Sequence, residues 1–299
     1  MKNVQILMST YNGERYLREQ LDSILKQSYQ EWRLLIRDDG STDSTIDIIE
    51  EYMRNDTRIH FYKGENLGVR NSFFNLMINT DLSSDYYALS DQDDVWLEDK
   101  ISRAVVMMES DQKIPTLYAS ATQLADQELR PIKSQIRRPV LVPSFGNALV
   151  ENICTGCTCM MNRELLTLVR EHIPDFTIMH DWWLYLTASA FGKVIYDMES
   201  YILYRQHGDN IVGTKATYLE EFKSRISRYK GNRGNIRRQT EEFIRQYSLD
   251  KTMRLLAEEI ISYKQSLEIK IKLIFSKDVY RQRRIDNLIF KMLLIFNEM

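Results

Sequence analysis

The sequence predicts an α/β protein with a mostly parallel central sheet flanked by helices, followed by an all-helical extension. Three observations carry this. Short apolar runs alternate with helix-periodic stretches across short loops, the pattern of a parallel sheet. Polar clusters at 9–14, 38–43, 66–70 and 91–94 fall at or near the carboxyl ends of the predicted strands, where ligands bind in such sheets. From residue 216 the pattern turns to helix only and the charge balance reverses. Residues 215–299 carry 19 Lys and Arg against 11 Asp and Glu, whereas 1–214 carry 21 against 31. Two units are expected, 1–214 and a basic helical extension over 215–299.

The apolar run 4–8 reads as a buried first strand ending in a loop at 9–13. Residues 14–26 place Tyr16, Leu17, Leu21, Ile24 and Leu25 at helical spacing. A second strand over 31–37 enters a turn set by Asp39-Gly40. Ser41 or Thr42 is expected to cap a helix over 43–54, with Asp43 at its start. A strand over 58–62, a turn at 66–68, a helix over 69–79 and a strand over 86–89 follow. Beyond a helix at 97–110 come a strand at 116–122 and a polar loop at 126–146. A strand at 155–161, helices at 162–170 and 180–191, and strands at 193–196 and 201–204 complete the sheet region, ahead of a polar loop at 205–210. Helices are expected at 216–246, 250–272 and 278–297.

Composition sets the outer limits. With 43% hydrophobic and 27% charged residues in 299, the chain can bury a sizeable core. No apolar run approaches the ~20 residues of a membrane span, and residues 1–9 are too short and polar for a signal peptide. A cytoplasmic protein is expected. Cys154, Cys157 and Cys159 lack the partners of a four-ligand zinc site and read as small buried side chains. No zinc-finger, RNA-recognition or basic-zipper pattern is present, so nucleic acid is not an expected partner.

The most informative stretch is Ser90-Asp91-Gln92-Asp93-Asp94, directly after the apolar Tyr86-Tyr87-Ala88-Leu89. Three acids in four positions repel one another and raise each other's pKa unless a cation relieves them. Hard divalent ions such as Mg²⁺ or Mn²⁺ take carboxylate oxygens and keep positions open for substrate phosphates. Capping of a following helix accounts for one of the acids, and Asp94 is the candidate.

Taken in order, Ser9-Thr10-Tyr11-Asn12, Asp38-Asp39-Gly40-Ser41-Thr42-Asp43, Asn66-Leu67-Gly68, Asp91-Gln92-Asp93-Asp94 and His180-Asp181-Trp182-Trp183 resemble the family 2 glycosyltransferases of the GT-A fold. The likeness spans roughly residues 3–212. With Tyr204-Arg205-Gln206-His207 it looks most like the branch containing rhamnosyltransferases of bacterial cell-wall and capsular polysaccharides. The resemblance implies a nucleoside diphosphate sugar as donor, dTDP- or UDP-linked, and a glycan or lipid-linked acceptor. It places Thr10, Tyr11, Asn12, Glu14, Asp39, Arg70, Asp91 and Gln92 around the nucleotide sugar, with Tyr11 stacking on the base and Asp39 accepting its N3–H. It assigns Asp93 and His207 to the metal and Asp181 to the catalytic base. It puts Gly156, His180, Trp182 and Trp183 on the acceptor side.

Alternatives stay open at several of these positions. Asp181 can cap the helix after it, His180 can orient its loop, and Trp182 and Trp183 on an apolar helix can be core. A nucleotide-binding partner of a synthase complex that has lost catalysis is a second class of function. A nucleotidyltransferase is a third, disfavoured because 9–13 is not a glycine-rich phosphate loop. The basic C-terminal helices can cap the domain, form a dimer contact, or dock on the inner face of the plasma membrane.

Overall fold

A computed structural model describes residues 1–109, 113–132, 139–206 and 234–298. The chain runs through β1 (Val4–Thr10), α1 (Leu17–Leu25), β2 (Trp32–Asp38), α2 (Thr45–Asn55), β3 (Ile59–Lys63), α3 (Val69–Asn79), β4 (Tyr86–Ser90) and β5 (Val95–Trp96). Next come α4 (Lys100–Met108), β6 (Thr116–Ala125), α5 (Phe145–Ala148), a 3-10 turn at Gly156–Thr158, β7 (Met160–Asn162), α6 (Arg163–Glu171), α7 (His180–Phe191) and β8 (Lys193–Arg205). Four helices close the described chain: α8 (Asn235–Gln246), α9 (Lys251–Ser262), α10 (Leu267–Phe275) and α11 (Arg284–Ile295).

The strands form one sheet in the order β3-β2-β1-β4-β7-β6-β8-β5. The first four pair in parallel, β7 runs antiparallel to both β4 and β6, β6 and β8 are parallel, and β5 is antiparallel to β8. Alternation along β1 explains the layering. Val4, Ile6 and Met8 face a core shared with Leu17, Leu21, Ile48, Ile49 and Ile101 on one side. Leu7 faces the other side, with Phe73, Leu166, Trp183 and residues of the C-terminal helices such as Phe243, Ile260, Leu273 and Phe290. The extension therefore shares one core with α3, α6 and α7. Among the described residues no helix is long and apolar enough to cross a membrane.

The structure corrects several expectations. No helix follows Asp94 directly: Val95 and Trp96 form β5 against Leu203 and Ile202, so Asp94 is not a helix cap. Ser41 and Thr42 do not cap α2. The Ser41 hydroxyl accepts from Asn12 N at 2.9 Å, and Asp43 instead holds the helix start through Thr45 N at 3.0 Å. The expected strand at 155–161 is a 3-10 turn followed by β7, because Thr158 N and Cys159 N bond back to Thr155 O and Gly156 O. The two strands expected at 193–204 are one, β8, with register shifts opposite Ser120 and Ala121. The expected helix at 250–272 breaks at Tyr263–Ser266, where the Ser266 hydroxyl caps α10 through Ile269 N. Expectations that fall wholly or partly outside the described residues include His207, the polar loops at 126–146 and 205–210 and the helix at 216–246.

Candidate active site

The carboxyl ends of β1, β2 and β4 bring their loops together, and the loops are laced by side-chain bonds. Gln92 clamps Tyr11, accepting from its N–H at 2.9 Å and donating to its carbonyl at 3.0 Å. Asn12 Oδ1 accepts from Thr42 N at 2.9 Å, and Glu14 Oε2 accepts from Ser44 N at 3.0 Å. The side chains of Asn12, Glu14 and Gln92, expected on the nucleotide sugar, thus hold the β1 loop to its neighbours. Thr10 is buried, while Tyr11 is 47% exposed and offers a free ring face.

Asp39 is a strut in this structure. It is buried and ion-paired with the equally buried Arg37, and its two oxygens accept from Leu67 N at 2.8 Å and Gly68 N at 2.9 Å. Its carboxylate holds the turn at 66–68, and Oδ2, with one donor, keeps a lone pair for the base contact that the resemblance implies. The turn needs Gly68, whose φ of 74° is a left-handed conformation that disfavours side chains. Arg37 also donates to Ser72 Oγ at 2.9 Å and to Glu65 O at 2.8 Å. Arg70, expected on the nucleotide, reaches across to the Thr177 carbonyl at 2.7 Å.

The acid cluster lies at the end of β4. Asp91, Asp94 and Cys157 place ligand-capable atoms within 4.8 Å of one another. Burial, then the charges of Asp93 and Asp181, pushes the Asp91 carboxyl up to about 7. Burial and the neighbouring Asp91 and Asp93 also raise Asp94 well above the ordinary range. Asp94 Oδ1 accepts from Arg205 N at 3.1 Å, while its buried Oδ2 has no hydrogen-bond partner. Arg205, almost fully buried at the end of β8, donates to the Asp93 carbonyl at 2.8 Å and pairs with Glu19, so it holds the cluster's backbone in place. Crowded, incompletely satisfied carboxylates fit a hard divalent cation. The Cys157 thiol does not, because burial holds it protonated and thiols suit softer metals.

Asp181 sits in the first turn of α7, 8% exposed. Its Oδ2 accepts from Gly156 N at 2.9 Å; its buried Oδ1 accepts no bond of good geometry, although the Asn152 side chain and the Trp182 amide lie close enough to favour the charged carboxylate. Burial pushes the carboxyl up to about 6 against the pull of that amide. A Cβ at Gly156 would lie 3.0 Å from His180 Nε2 and 3.5 Å from Asp181 Oδ2, so the close approach needs a glycine. His180 stacks on Phe73 at 4.1 Å, and burial pulls its pKa down to about 3. It is a neutral wall beside Asp181. Trp182 donates to the Ala148 carbonyl at 2.6 Å from a partly exposed position. Trp183 is fully buried against Phe243, edge-on at 5.2 Å, and cannot reach an acceptor. Trp183 therefore belongs to the core and not to the acceptor side where the resemblance puts it.

Sequence reasoning missed a clamp from the extension. Gln239 of α8 is buried, and its Oε1 accepts from Thr177 Oγ1 at 2.7 Å and Ile178 N at 2.8 Å. One turn on, Glu242 accepts from Asp175 N at 2.9 Å. These bonds hold the segment that contacts Arg70 and leads into Asp181. The only sequence signal is the i, i+3 spacing of Gln239 and Glu242, which names no partner.

Comparison with known proteins places the chain. The family model described as glycosyl transferase family 2 matches residues 5–168, and the protein belongs to that family. It is 30% identical over 234 residues to the dTDP-rhamnosyl transferase RfbG of Shigella flexneri, covering 72% of this chain and 77% of that protein. It is 28% identical over 189 residues to the UDP-Glc:alpha-D-GlcNAc-diphosphoundecaprenol beta-1,3-glucosyltransferase WfgD of Escherichia coli, covering 62% and 68%. Among solved structures, the mannosyltransferase PcManGT of Pyrobaculum calidifontis, in complex with GDP-Man and Mn²⁺, superposes with a TM-score of 0.60 at 15% identity. That match covers 90% of this chain and 71% of the other. The fold is that of the GT-A glycosyltransferases, and the protein is a glycosyltransferase.

Proposed function

We propose that this enzyme is an inverting, metal-dependent transferase that moves L-rhamnose from dTDP-rhamnose onto a lipid-linked bacterial surface glycan. It would work in the cytoplasm. The observation that carries the reading is Asp181: a buried carboxylate held by the Gly156 amide, with one oxygen that accepts no bond of good geometry, at the same sheet edge as the acid cluster. The donor follows RfbG, and a lipid-linked acceptor follows the diphosphoundecaprenol substrate in the name of WfgD.

The chain's own groups supply the steps. Tyr11 offers a ring face to the nucleotide base. Asp181 Oδ1 takes the proton of the acceptor hydroxyl as its oxygen bonds to the anomeric carbon. The bond from that carbon to the diphosphate breaks on the opposite face, and the nucleoside diphosphate leaves with the electron pair. A single displacement of this kind inverts the anomeric centre. Asp91 and Asp93, with Asp94 behind them, would hold Mg²⁺ or Mn²⁺, which when bound stabilises the negative charge developing on the departing diphosphate. Positive charge grows on the sugar carbon, and neutral His180 beside Asp181 adds no repulsion to it.

The test is sugar transfer with Mg²⁺ or Mn²⁺ in wild type, Asp181→Asn and Asp93→Asn. Each variant should lose on the order of 10²–10⁴ in kcat with folding intact; near-wild-type transfer in both would overturn the reading. The name of WfgD, with its UDP-Glc donor, favours a second reading, a UDP-hexose donor. Stronger thermal stabilisation by dTDP than by UDP supports rhamnose, and the reverse order supports the hexose.

A further inference from the structure

We propose that the outer faces of α10 and α11 form a docking surface for an anionic lipid bilayer. Each helix carries two apolar faces. The inner faces reach the core through Leu273 of α10 and Ile289, Phe290 and Leu294 of α11. The outer faces show Leu267, Ile271 and Phe275 at i, i+4 and i+8, and Leu288, Met292 and Ile295 at i, i+4 and i+7. Their exposures run from 47% for Met292 to 77% for Phe275. A surface helix of a soluble protein is normally polar on its outer side, and one apolar all round is normally covered. The two helices pack on each other, and six large apolar side chains exposed on them are more than the singly scattered apolar residues of an ordinary protein surface.

The surrounding charge decides what covers it. Residues 263–298 hold eight Lys and Arg against four Asp and Glu, and one of those acids, Asp286, is buried. Lys277 and Arg284 are exposed alongside the apolar stripes, and Lys272, also exposed, is ion-paired with Glu259. Apolar side chains entering the acyl boundary, with cations at headgroup level, is the geometry of an interfacial helix on an anionic leaflet. A second copy of the chain would bring two such cationic margins face to face, so lipid is the occupant the charge pattern favours.

The surface is also tied to the active site. Asn147 Nδ2 donates to the Tyr280 carbonyl at 2.9 Å, and Gln282 N donates to Glu151 Oε2 at 2.7 Å, both between α10 and α11. A Cβ on Gly146 would collide with Asp278 O at 2.2 Å, so the two segments are in direct contact. The same stretch meets α7 through Tyr185 Oη on Asn147 Oδ1 at 2.8 Å and through Trp182 on Ala148. The segment between α10 and α11 thus packs, through α5, against the helix that carries Asp181. The proposal deepens the reading above, because a lipid-linked acceptor must be met at a membrane.

The test is co-sedimentation of the full chain with vesicles of phosphatidylglycerol and phosphatidylcholine in equal parts, against vesicles of phosphatidylcholine alone. Binding should favour the anionic vesicles and fall with added salt. It should drop about ten-fold in Ile271→Gln/Phe275→Gln and, more weakly, in Lys277→Gln/Arg284→Gln. Both pairs are exposed, and unchanged thermal midpoints would show that folding is intact. Equal binding by wild type and the apolar double variant overturns the proposal, as does a chain that stays in solution with both vesicles. A lipid-free dimer that Ile271→Gln/Phe275→Gln dissociates would instead assign the surface to a second copy. Sedimentation involves no turnover, so vesicle binding without sugar transfer would sink the catalytic reading and leave this one standing.

Discussion

The two ends of the sheet edge treat their charges in opposite ways. Around β2 and α3 every oxygen of Asp39 has a donor, and Arg37 is paired and bonded on all sides although both are buried. Around β4 and α7, Asp94 Oδ2 and Asp181 Oδ1 are buried and accept no bond of good geometry, and the Asp91 carboxyl is pushed up to about 7. A saturated buried pair is rigid and holds a shape. An unsaturated acid cluster stores a cost that a bound cation and substrate remove. One end is a saturated scaffold, and the other carries the unsaturated carboxylates on which the proposed function rests.

The contrast can be broken most strongly at the scaffold. Arg37→Met should leave Asp39 buried without its countercharge and cost about 3–5 kcal/mol of stability. Chemical denaturation would measure this, and a loss below ~1 kcal/mol would mean the pair is not the strut described.

Gln239→Leu sits between the two ends. It removes the acceptor for Thr177 Oγ1 and Ile178 N, at an expected cost of about 1–3 kcal/mol. It should also lower kcat about ten-fold by loosening the lead into Asp181, with little change in KM for the donor. Gln239→Glu keeps the acceptor oxygen and should restore kcat. A uniform loss in both variants would reduce Gln239 to a packing residue.

The smallest effect sharpens the ligand-ready end. Asp91 and Asp181 have folded pKa values raised to about 7 and about 6, so the native state holds extra protons at mildly acid pH. Their stabilising contribution is complete below about pH 4 and is lost as pH rises through about 6–7. Asp43, Asp56, Asp81 and Asp85, all lowered by hydrogen bonds or cationic neighbours that outweigh burial, act in the opposite sense, but only as pH falls below about 4. His180, pulled down to about 3 by burial, opposes them over the same window, because its unfolded imidazole takes up a proton below about pH 6.5 and the folded one does not. The two carboxyls outweigh it, so without divalent ions the protein should lose about 1 kcal/mol between pH 5.5 and 7.5. Mn²⁺ should restore it at the higher pH. Calorimetry at both pH values reads this directly, and Asp91→Asn should flatten the slope.

Periodicity and local chemistry made much of the architecture legible. The helix at 69–79 and that at 180–191 begin and end where their spacing predicts. The polar clusters do meet at one sheet edge, because the parallel strands β1, β2 and β4 all point the same way. The crowding of acids after an apolar strand is likewise legible in the sequence, and the fold gathers Asp91 and Asp94 at the end of β4.

What stayed hidden depends on partners far away in sequence. Val95 and Trp96 are a strand only because β8 passes beside them, more than 100 residues later, and the same pairing puts Arg205 N on Asp94. That Asp39 also holds the turn at 66–68, through Leu67 N and Gly68 N, could not be read from its place in the sequence. Which of Trp182 and Trp183 is core was open in the sequence; α8 decides it by covering Trp183 with Phe243. Local spacing encodes the repeat of a strand or helix and the residues at its end. Which groups are then desolvated, neutralised or left bare is decided by long-range packing, and that decision separates the struts of this protein from its chemistry.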